Sequence, residues 1–282
     1  MILPSFVLAS KKNLVLTKSG LDSLSNCFDK KKFKDYPYAV EYRYNDRGFR
    51  DENWPNSINE LTQLVWCFGD SFTVGLGAPI EHTWPYVLQQ TINRRCINIS
   101  MDGASNDWIA RRAIEVIQTI RPAVIIIMWS FSSRREKEAT DDDETRRMHL
   151  HAGVGDYLDD FKNFQNNVNA VNAAATSTKI IHSAIPAEFF TVNGVQECFN
   201  TLRGTDWPSS FTGIKNLNQL AFNELKKSNM YEMFQTYDKF EHEIIDLTEK
   251  FVNIKQVDFS RDSYHFGVRT MTQIANDFVN LI

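Results

Sequence analysis

The most apolar run in the chain, at residues 123–129, constrains the fold more than any other stretch. Its sequence, AVIIIMW, places six β-branched or bulky apolar residues in succession. A run of this length and composition is typical of a β-strand that is covered on both faces. Both faces are covered when a strand lies at the centre of a parallel sheet with helices above and below it. The run therefore predicts such a sheet.

Shorter apolar runs alternate with helical patterns from about residue 60 onward. Three further strands are predicted at residues 64–68, 96–99 and 179–185. Four helices are predicted, which begin near Thr83, Asp107, Asp156 and Val268. Strands that alternate with helices form right-handed βαβ units. The predicted fold class is therefore α/β, a three-layer α/β/α sandwich with a central parallel sheet.

Two parts of the chain do not follow this alternation. Residues 1–60 contain YAVEYRYNDRGFRD, which alternates and turns like a small β-ribbon, and we interpret them as an N-terminal appendage. Residues 61–282 are interpreted as one α/β domain with an insertion at about 186–240, which is too long for a simple connection. The insertion includes a predicted helix near residues 217–234. The charge run within residues 132–155 is interpreted as a mobile, solvated loop.

Composition and charge exclude several classes of protein. Apolar residues make up 43% of the chain, charged residues 23%, and the net charge is −4, so the basic excess of nucleic-acid-binding proteins is missing. No stretch approaches the roughly 18 uncharged apolar residues of a membrane span. The N-terminus lacks the basic region of a signal peptide, so a cytoplasmic location is expected. The four cysteines are scattered and no Gly-rich phosphate loop is present, so neither a metal nor a cofactor is expected.

The stretch CFGDSFTVG, at residues 67–75, places a serine directly after the first predicted strand of the sheet. In an open parallel sheet, ligands bind just beyond the carboxyl ends of the strands. At such a position Ser71 would expose its hydroxyl and leave its amide free to bind an anion. The alternative is a turn that ends the strand, for which Gly, Asp and Ser are common residues.

A histidine near the C-terminus could activate that serine. Asp262 precedes His265 by three residues, on the loop that enters the last predicted helix. An aspartate there can accept the imidazole Nδ1–H, which fixes the tautomer and leaves Nε2 free to act as a base. Ser…Asp…His is one of the orders that build a catalytic triad. The alternatives are a capping or surface histidine, and Asp258 as a rival partner that fits less well.

The loop after the second predicted strand could complete the chemistry. Within NISMDGASNDW, at residues 98–108, Gly103 could offer a bare backbone amide beside that of Ser71. Two such donors aimed at one point form an oxyanion hole. The alternative is a glycine needed for the turn, with Ser105 or Asp107 capping the helix that follows. Both interpretations can hold together.

These three stretches resemble the conserved blocks of the SGNH (GDSL-type) hydrolases. GDSFTVGLG, NISMDGASND and DSYHFG stand in the order and spacing of that family, and YNDRGFRD is similar to the lead-in of many members. The resemblance covers about residues 60–282 and implies a flavodoxin-like sandwich that hydrolyses esters through a serine acyl-enzyme. It implies that Ser71 is the nucleophile, His265 the general base and Asp262 its orienting partner. It also implies oxyanion donors at the amides of Ser71 and Gly103.

The third family block departs from the usual pattern. In place of Gly-x-Asn-Asp, the strand at residues 123–129 continues as MWSFSSRRE, without an asparagine. We prefer Asn106 as the replacement side-chain donor to the oxyanion, because its amide NH₂ supplies the missing chemistry, and Ser132 is the second candidate. Asp70 is a candidate for contact with the substrate, and Arg134 or Arg135 could meet a charged substrate, with a surface arginine as the alternative.

The expected partner is a small ester, a lipid or an O-acylated carbohydrate, and the oligomeric state is open. An O-acyltransferase would use the same triad. A binding or structural protein on an inactivated scaffold is favoured by the missing asparagine and disfavoured by the intact triad residues. A nucleotide-binding protein lacks its phosphate loop. An α/β-hydrolase would need glycine where the chain has Thr73.

Overall fold

A computed structural model describes residues 7–17, 39–131, 134–136, 157–185, 251–262 and 264–282. The predicted insertion at 186–240, with its helix, lies outside the described residues. So do Ser132, Asp156 and most of the charge run within 132–155.

Six strands and six α-helices are described in these ranges. The strands are β1 (Val15–Leu16), β2 (Tyr42–Arg43), β3 (Val65–Gly69), β4 (Cys96–Ser100), β5 (Val124–Trp129) and β6 (Lys179–Ala184). The helices are α1 (Ile58–Thr62), α2 (Ser71–Val74), α3 (Trp84–Ile92), α4 (Asn106–Thr119), α5 (Tyr157–Ala174) and α6 (Val268–Val279). None of these helices combines the length and the apolar composition of a membrane span.

Four of the strands form the central parallel sheet, in the order β4-β3-β5-β6. A parallel bridge joins Ser183 of β6 to Val252, which adds a fifth position at that edge. Counted over the described residues, this is the 2-1-3-4-5 order of flavodoxin-like sheets, in which the strand order reverses beside the first strand. β3 is that first strand, so the loop that follows it opens at the position where such sheets bind ligands.

Helices cover both faces of the sheet, which confirms the predicted α/β/α sandwich. Along β3, Trp66 and Phe68 point into one buried layer, and Val65 and Cys67 point into the other, as the period of two in a strand requires. The first layer is closed by α4 and α5 and the second by α3 and α6. All six residues of β5 are buried, which agrees with its interpretation as a central strand.

Helix starts follow the capping residues. The helix predicted from Asp107 begins one residue earlier, because Ser105 is its N-cap and accepts a hydrogen bond from the Trp108 amide at 3.1 Å. Thr83 precedes α3 as predicted, but its hydroxyl donates to the Ile80 carbonyl and makes no cap bond.

The stretch before residue 60 shares the core of the sheet. β1 and β2 form a two-stranded antiparallel ribbon. Leu8, Phe49 and Trp54 lie in the same buried cluster as Trp66 of β3, and the Trp54 and Trp66 rings meet edge to face at 5.3 Å. The domain boundary at residue 60 stays a prediction.

A buried arginine joins this stretch to the loop that follows α2. Arg50 donates hydrogen bonds through Nη1 to the carbonyl oxygens of Val74 and Gly75, at 3.0 and 2.7 Å, and through Nη2 to that of Ala78 at 2.8 Å. The guanidinium thus supplies donors to carbonyl groups at the end of a four-residue helix, of which that of Gly75 also accepts from the Ala78 amide at 3.3 Å.

Candidate active site

Ser71 stands where β3 turns into α2. Asp70 caps the helix, since its Oδ1 accepts a hydrogen bond from the Phe72 amide at 3.0 Å. The turn is so tight that a β-carbon on Gly69 would lie 2.1 Å from Thr73 Oγ1, so only glycine fits there. Ser71 is the first residue of α2 and is almost fully buried.

The structure brings together the three residues proposed as a triad. His265 Nε2 lies 2.8 Å from Ser71 Oγ, across 194 positions of sequence. His265 Nδ1 lies 2.6 Å from Asp262 Oδ2. All three side chains are buried. The imidazole therefore bridges the serine hydroxyl and the carboxylate, which is the geometry that a general base requires.

The surroundings of Asp262 keep its carboxylate ionised. Burial by itself raises the pKa of Asp262, but the hydrogen bond and charge of His265 lower it, as do hydrogen bonds from the Ser260 hydroxyl and the Tyr264 amide. The net result is a pKa below its ordinary value. Because an ionised carboxylate only accepts hydrogen bonds, Nδ1 of His265 donates to Asp262, and when the ring is neutral Nε2 presents its lone pair to Ser71 Oγ.

Asp258, the rival partner, has another position. Its carboxylate accepts hydrogen bonds from the amides of Arg269 and Thr270, at 3.0 and 2.8 Å, and from the Thr270 hydroxyl at 2.6 Å. It therefore binds the N-terminus of α6, where a negative charge is favourable.

The backbone groups proposed for the oxyanion hole are Ser71 N and Gly103 N. Among the described residues, neither amide donates a hydrogen bond. Gly103 has a φ of +71°, a left-handed conformation that favours glycine. The turn therefore requires a glycine at this position, as the alternative interpretation predicted. The convergence of the two amides on one point stays a prediction.

Asn106 fastens the end of β5. Its Oδ1 accepts from Ser130 N at 2.9 Å, its Nδ2 donates to the Phe131 carbonyl at 2.9 Å, and its own amide donates to the Arg134 carbonyl at 2.9 Å. The NH₂ group preferred for the oxyanion is thus bonded to the chain itself. Asn106 therefore positions the end of β5, its predicted role as an oxyanion donor stays a prediction, and Ser132 lies outside the described residues.

Asp70, Ser130 and Arg134 form a hydrogen-bond network beside the nucleophile. Asp70 Oδ2 accepts hydrogen bonds from Ser130 Oγ at 2.5 Å and from Arg134 Nη1 at 2.9 Å. With the Phe72 amide on Oδ1, three donors of the chain hold this fully buried carboxylate, so Asp70 supports the turn, and its contact with a substrate stays a prediction. Sequence reasoning missed Ser130, although its place directly after β5 puts it at the same edge of the sheet as Ser71.

Aromatic rings surround the imidazole. Phe72 packs on His265 with ring centroids 4.7 Å apart and also contacts Tyr264, at 5.4 Å, and Phe131, at 6.2 Å. Tyr264 meets His265 edge to face at 5.1 Å and is 46% exposed. The sequence analysis did not predict these aromatic contacts, although Phe72 and Tyr264 are each next to a triad residue in the sequence. Among the described residues, no group of three or more His, Cys, Asp or Glu side chains could hold a metal ion.

No protein-family model and no curated protein sequence matches the chain. Several solved structures do. A candidate lipolytic protein of the G-D-S-L family from Desulfitobacterium hafniense is 16% identical, with a TM-score of 0.40 over 78% of this chain and 99% of that one. An esterase from Pseudoalteromonas sp. is also 16% identical, with a TM-score of 0.40 over 77% and 95%. A family 3 carbohydrate esterase from Clostridium thermocellum is 12% identical, with a TM-score of 0.39 over 77% and 94%. In its motif blocks and strand order the chain resembles the SGNH (GDSL-type) hydrolases, and proteins of the GDSL kind are among the solved structures that it matches.

Proposed function

We propose that this chain is a serine-dependent ester hydrolase that works through a Ser-His-Asp triad and an acyl-enzyme. One observation carries the proposal: His265 Nε2 lies 2.8 Å from Ser71 Oγ, while Asp262 holds Nδ1 at 2.6 Å. The aspartate also accepts hydrogen bonds from the amides of Tyr264 and His265, at 2.9 and 3.0 Å. With the Ser260 hydroxyl and His265 Nδ1, four donors hold this carboxylate, so it orients the imidazole more firmly than an aspartate without other partners would.

The first half-reaction transfers the acyl group to the protein. Ser71 Oγ attacks the ester carbonyl carbon while its proton passes to His265 Nε2. The carbonyl oxygen becomes an oxyanion, for which Ser71 N and Gly103 N are the proposed donors. When the intermediate collapses, the bond between the carbonyl carbon and the alkoxy oxygen breaks. His265 returns the proton to the leaving alcohol, and Asp262 stabilises the imidazolium throughout.

The second half-reaction releases the acid. Water gives a proton to His265 Nε2 and attacks the acyl carbon, and the proton then returns to Ser71 Oγ as the bond to the serine breaks. The proposed substrates are small esters, lipids or O-acylated carbohydrates, because the triad acts on the ester itself and leaves the rest of the substrate to the pocket.

A second candidate is a binding protein on an inactivated scaffold. It is favoured by the absence of the block-three asparagine and by the bonding of Asn106 to the chain. Removal of one oxyanion donor costs about 10²–10³ in kcat, which slows such a site but does not silence it. The ester hydrolase is therefore the better supported function.

Covalent labelling tests the proposal most directly. Wild type should react with a fluorophosphonate probe and hydrolyse p-nitrophenyl acetate, and Ser71→Ala should do neither. Ser57→Ala is the matched control, because Ser57 precedes α1 without a side-chain cap bond, and it should behave like wild type. A folded wild type that is neither labelled nor active would contradict the hydrolase and favour the binding protein.

A further inference from the structure

Arg134 is fixed beside the nucleophile by several bonds. Its Nη1 donates to Asp70 Oδ2 at 2.9 Å and lies 3.3 Å from Ser130 Oγ. Its amide donates to the Phe131 carbonyl, and its own carbonyl accepts from Asn106 N, both at 2.9 Å. Backbone and guanidinium are thus both held, and Asp70 is the residue directly before the serine.

The other edge of the guanidinium has no hydrogen-bond partner within the described part of the chain. The Arg134 side chain is 17% exposed, and Nε and Nη2 find no acceptor among the residues that the structure describes. These two nitrogens form the fork that binds a carboxylate through two parallel hydrogen bonds. Asp70 therefore anchors the arginine through one nitrogen and leaves the bidentate edge unused.

Ring contacts link this arginine to the imidazole. The guanidinium lies 5.2 Å from the centre of the Phe131 ring, Phe131 contacts Phe72 at 6.2 Å, and Phe72 contacts His265 at 4.7 Å. The Tyr264 hydroxyl lies within electrostatic range of both Arg134 and Asp70. Burial raises the pKa of this hydroxyl above its ordinary value. The charge of Arg134 opposes that rise, and the charge of Asp70 adds to it. Arg134 is therefore joined to the imidazole through two packed phenylalanine rings, and through Asp70 it is bonded to the residue next to Ser71.

We propose that Arg134 binds a carboxylate of the substrate, so that the site prefers esters that carry a negative charge near the scissile bond. This inference rests on the proposed hydrolase. Asp70 offsets part of the charge but engages only Nη1, so the edge formed by Nε and Nη2 keeps both donors for a second carboxylate. A lysine could supply the charge but not the planar pair of donors.

A pair of nearly isosteric esters tests the charge preference. 4-Acetoxybenzoate carries a carboxylate, and 4-acetoxybenzamide replaces it with a neutral amide of similar shape. Wild type should show a kcat/KM for the benzoate roughly tenfold above that for the benzamide, as expected for a charge-assisted pair worth about 1.4 kcal/mol. Arg134→Gln should bring the ratio close to one, mainly through a higher KM for the benzoate, and Arg134→Lys should restore part of it.

Two controls make the result specific. Arg43→Gln removes a surface charge whose side chain is 70% exposed, and it should keep the wild-type ratio. Calorimetric titration of Ser71→Ala with both compounds measures binding without turnover. This variant should bind the benzoate more tightly than the benzamide. Circular dichroism shows whether each Arg134 variant is folded. If Arg134→Gln does not fold, the kcat/KM ratio of Arg134→Lys still tests the inference.

The outcomes separate this inference from the proposed function. An active wild type that treats the two esters equally would overturn the inference and leave the hydrolase standing. So would an Arg134→Gln variant that loses the same factor on both esters, because the arginine would then act on the reacting carbonyl. A wild type that hydrolyses neither ester and is not labelled would overturn the hydrolase, and this inference with it.

Discussion

Asp262 Oδ2 lies 2.6 Å from His265 Nδ1, whereas Asp258, four positions earlier, binds the amides at the start of α6. The two acids are close in sequence and have separate tasks. One holds the imidazole by its side chain, and the other anchors the helix that begins just after the histidine.

The pair gives a matched test of the triad. Asp262→Asn should lower kcat by about 10³–10⁴, because an amide can donate to Nδ1 and so favours the wrong tautomer of His265. Asp258→Asn should keep most of the activity and lose roughly 1 kcal/mol of stability, since it weakens the bonding at the helix N-terminus. Both are measured by p-nitrophenyl acetate hydrolysis and urea unfolding. Equal kcat values for the two variants would contradict the assignment.

Stability should fall in mild acid because of His182. Burial lowers the pKa of His182 to about 4. Its Nδ1 accepts a hydrogen bond from Trp129 Nε1, and its Nε2 is hydrogen-bonded to Asn172 Oδ1. Since the folded pKa lies below the unfolded value near 6.5, the unfolded state binds the proton first as pH falls. The free energy of unfolding should therefore drop by about 2 kcal/mol between pH 7.5 and pH 5 through this group.

Two variants isolate that contribution from other titrating groups. His182→Gln should lose less stability over this pH interval than wild type, because the group that takes up the proton is gone. His82→Gln is the control, since His82 is exposed, and it should follow the wild-type curve. Parallel curves for wild type and His182→Gln would show that His182 does not titrate in this way.

Asn106→Ala should act mainly on stability. The side chain satisfies the Ser130 amide and the Phe131 carbonyl, and the loss of both bonds in a buried site costs about 2–3 kcal/mol. Asn166→Ala, at an exposed position of α5, should change stability by less than about 0.5 kcal/mol. A variant with unchanged stability and a kcat about 10²-fold lower would instead restore the predicted oxyanion role.

Arg50→Lys should destabilise the protein by roughly 2 kcal/mol or more. Lysine keeps the charge, but its single nitrogen cannot reach the carbonyls of Val74, Gly75 and Ala78 together, so buried acceptors lose their donors. Arg43→Lys is the exposed control and should be neutral. Thermal and urea unfolding measure both variants. A stability loss no larger than that of the control would show that these bonds matter little.

The sheet could be predicted because its signal is local. β5 is predicted as a strand from its own residues, and all six residues from Val124 to Trp129 are buried. The roles proposed for Ser71, Asp262 and His265 came from short blocks at the ends of elements. The parallel order of the strands places Ser71 at the carboxyl edge of the sheet, and the loop that enters α6 brings Asp262 and His265 to it.

Other features depend on contacts that a sequence does not display. The role of Asn106 is decided by where the Phe131 carbonyl falls, 25 positions away. Arg50 looks like any arginine of a polar ribbon, and only the folded chain aims it at carbonyls 24 to 28 positions later. The role of Ser130 depends on its hydrogen bond to Asp70, 60 positions earlier in the sequence.

The contacts of Arg50 also bear on how the protein can be shortened. A fragment that starts at residue 61 would retain every motif block, yet the loop behind the nucleophile would lose its guanidinium clamp, and the core would lose Phe49 and Trp54. We expect such a fragment to be insoluble or inactive when expressed alone. The segment ahead of the first block is then part of the scaffold that keeps the serine in place.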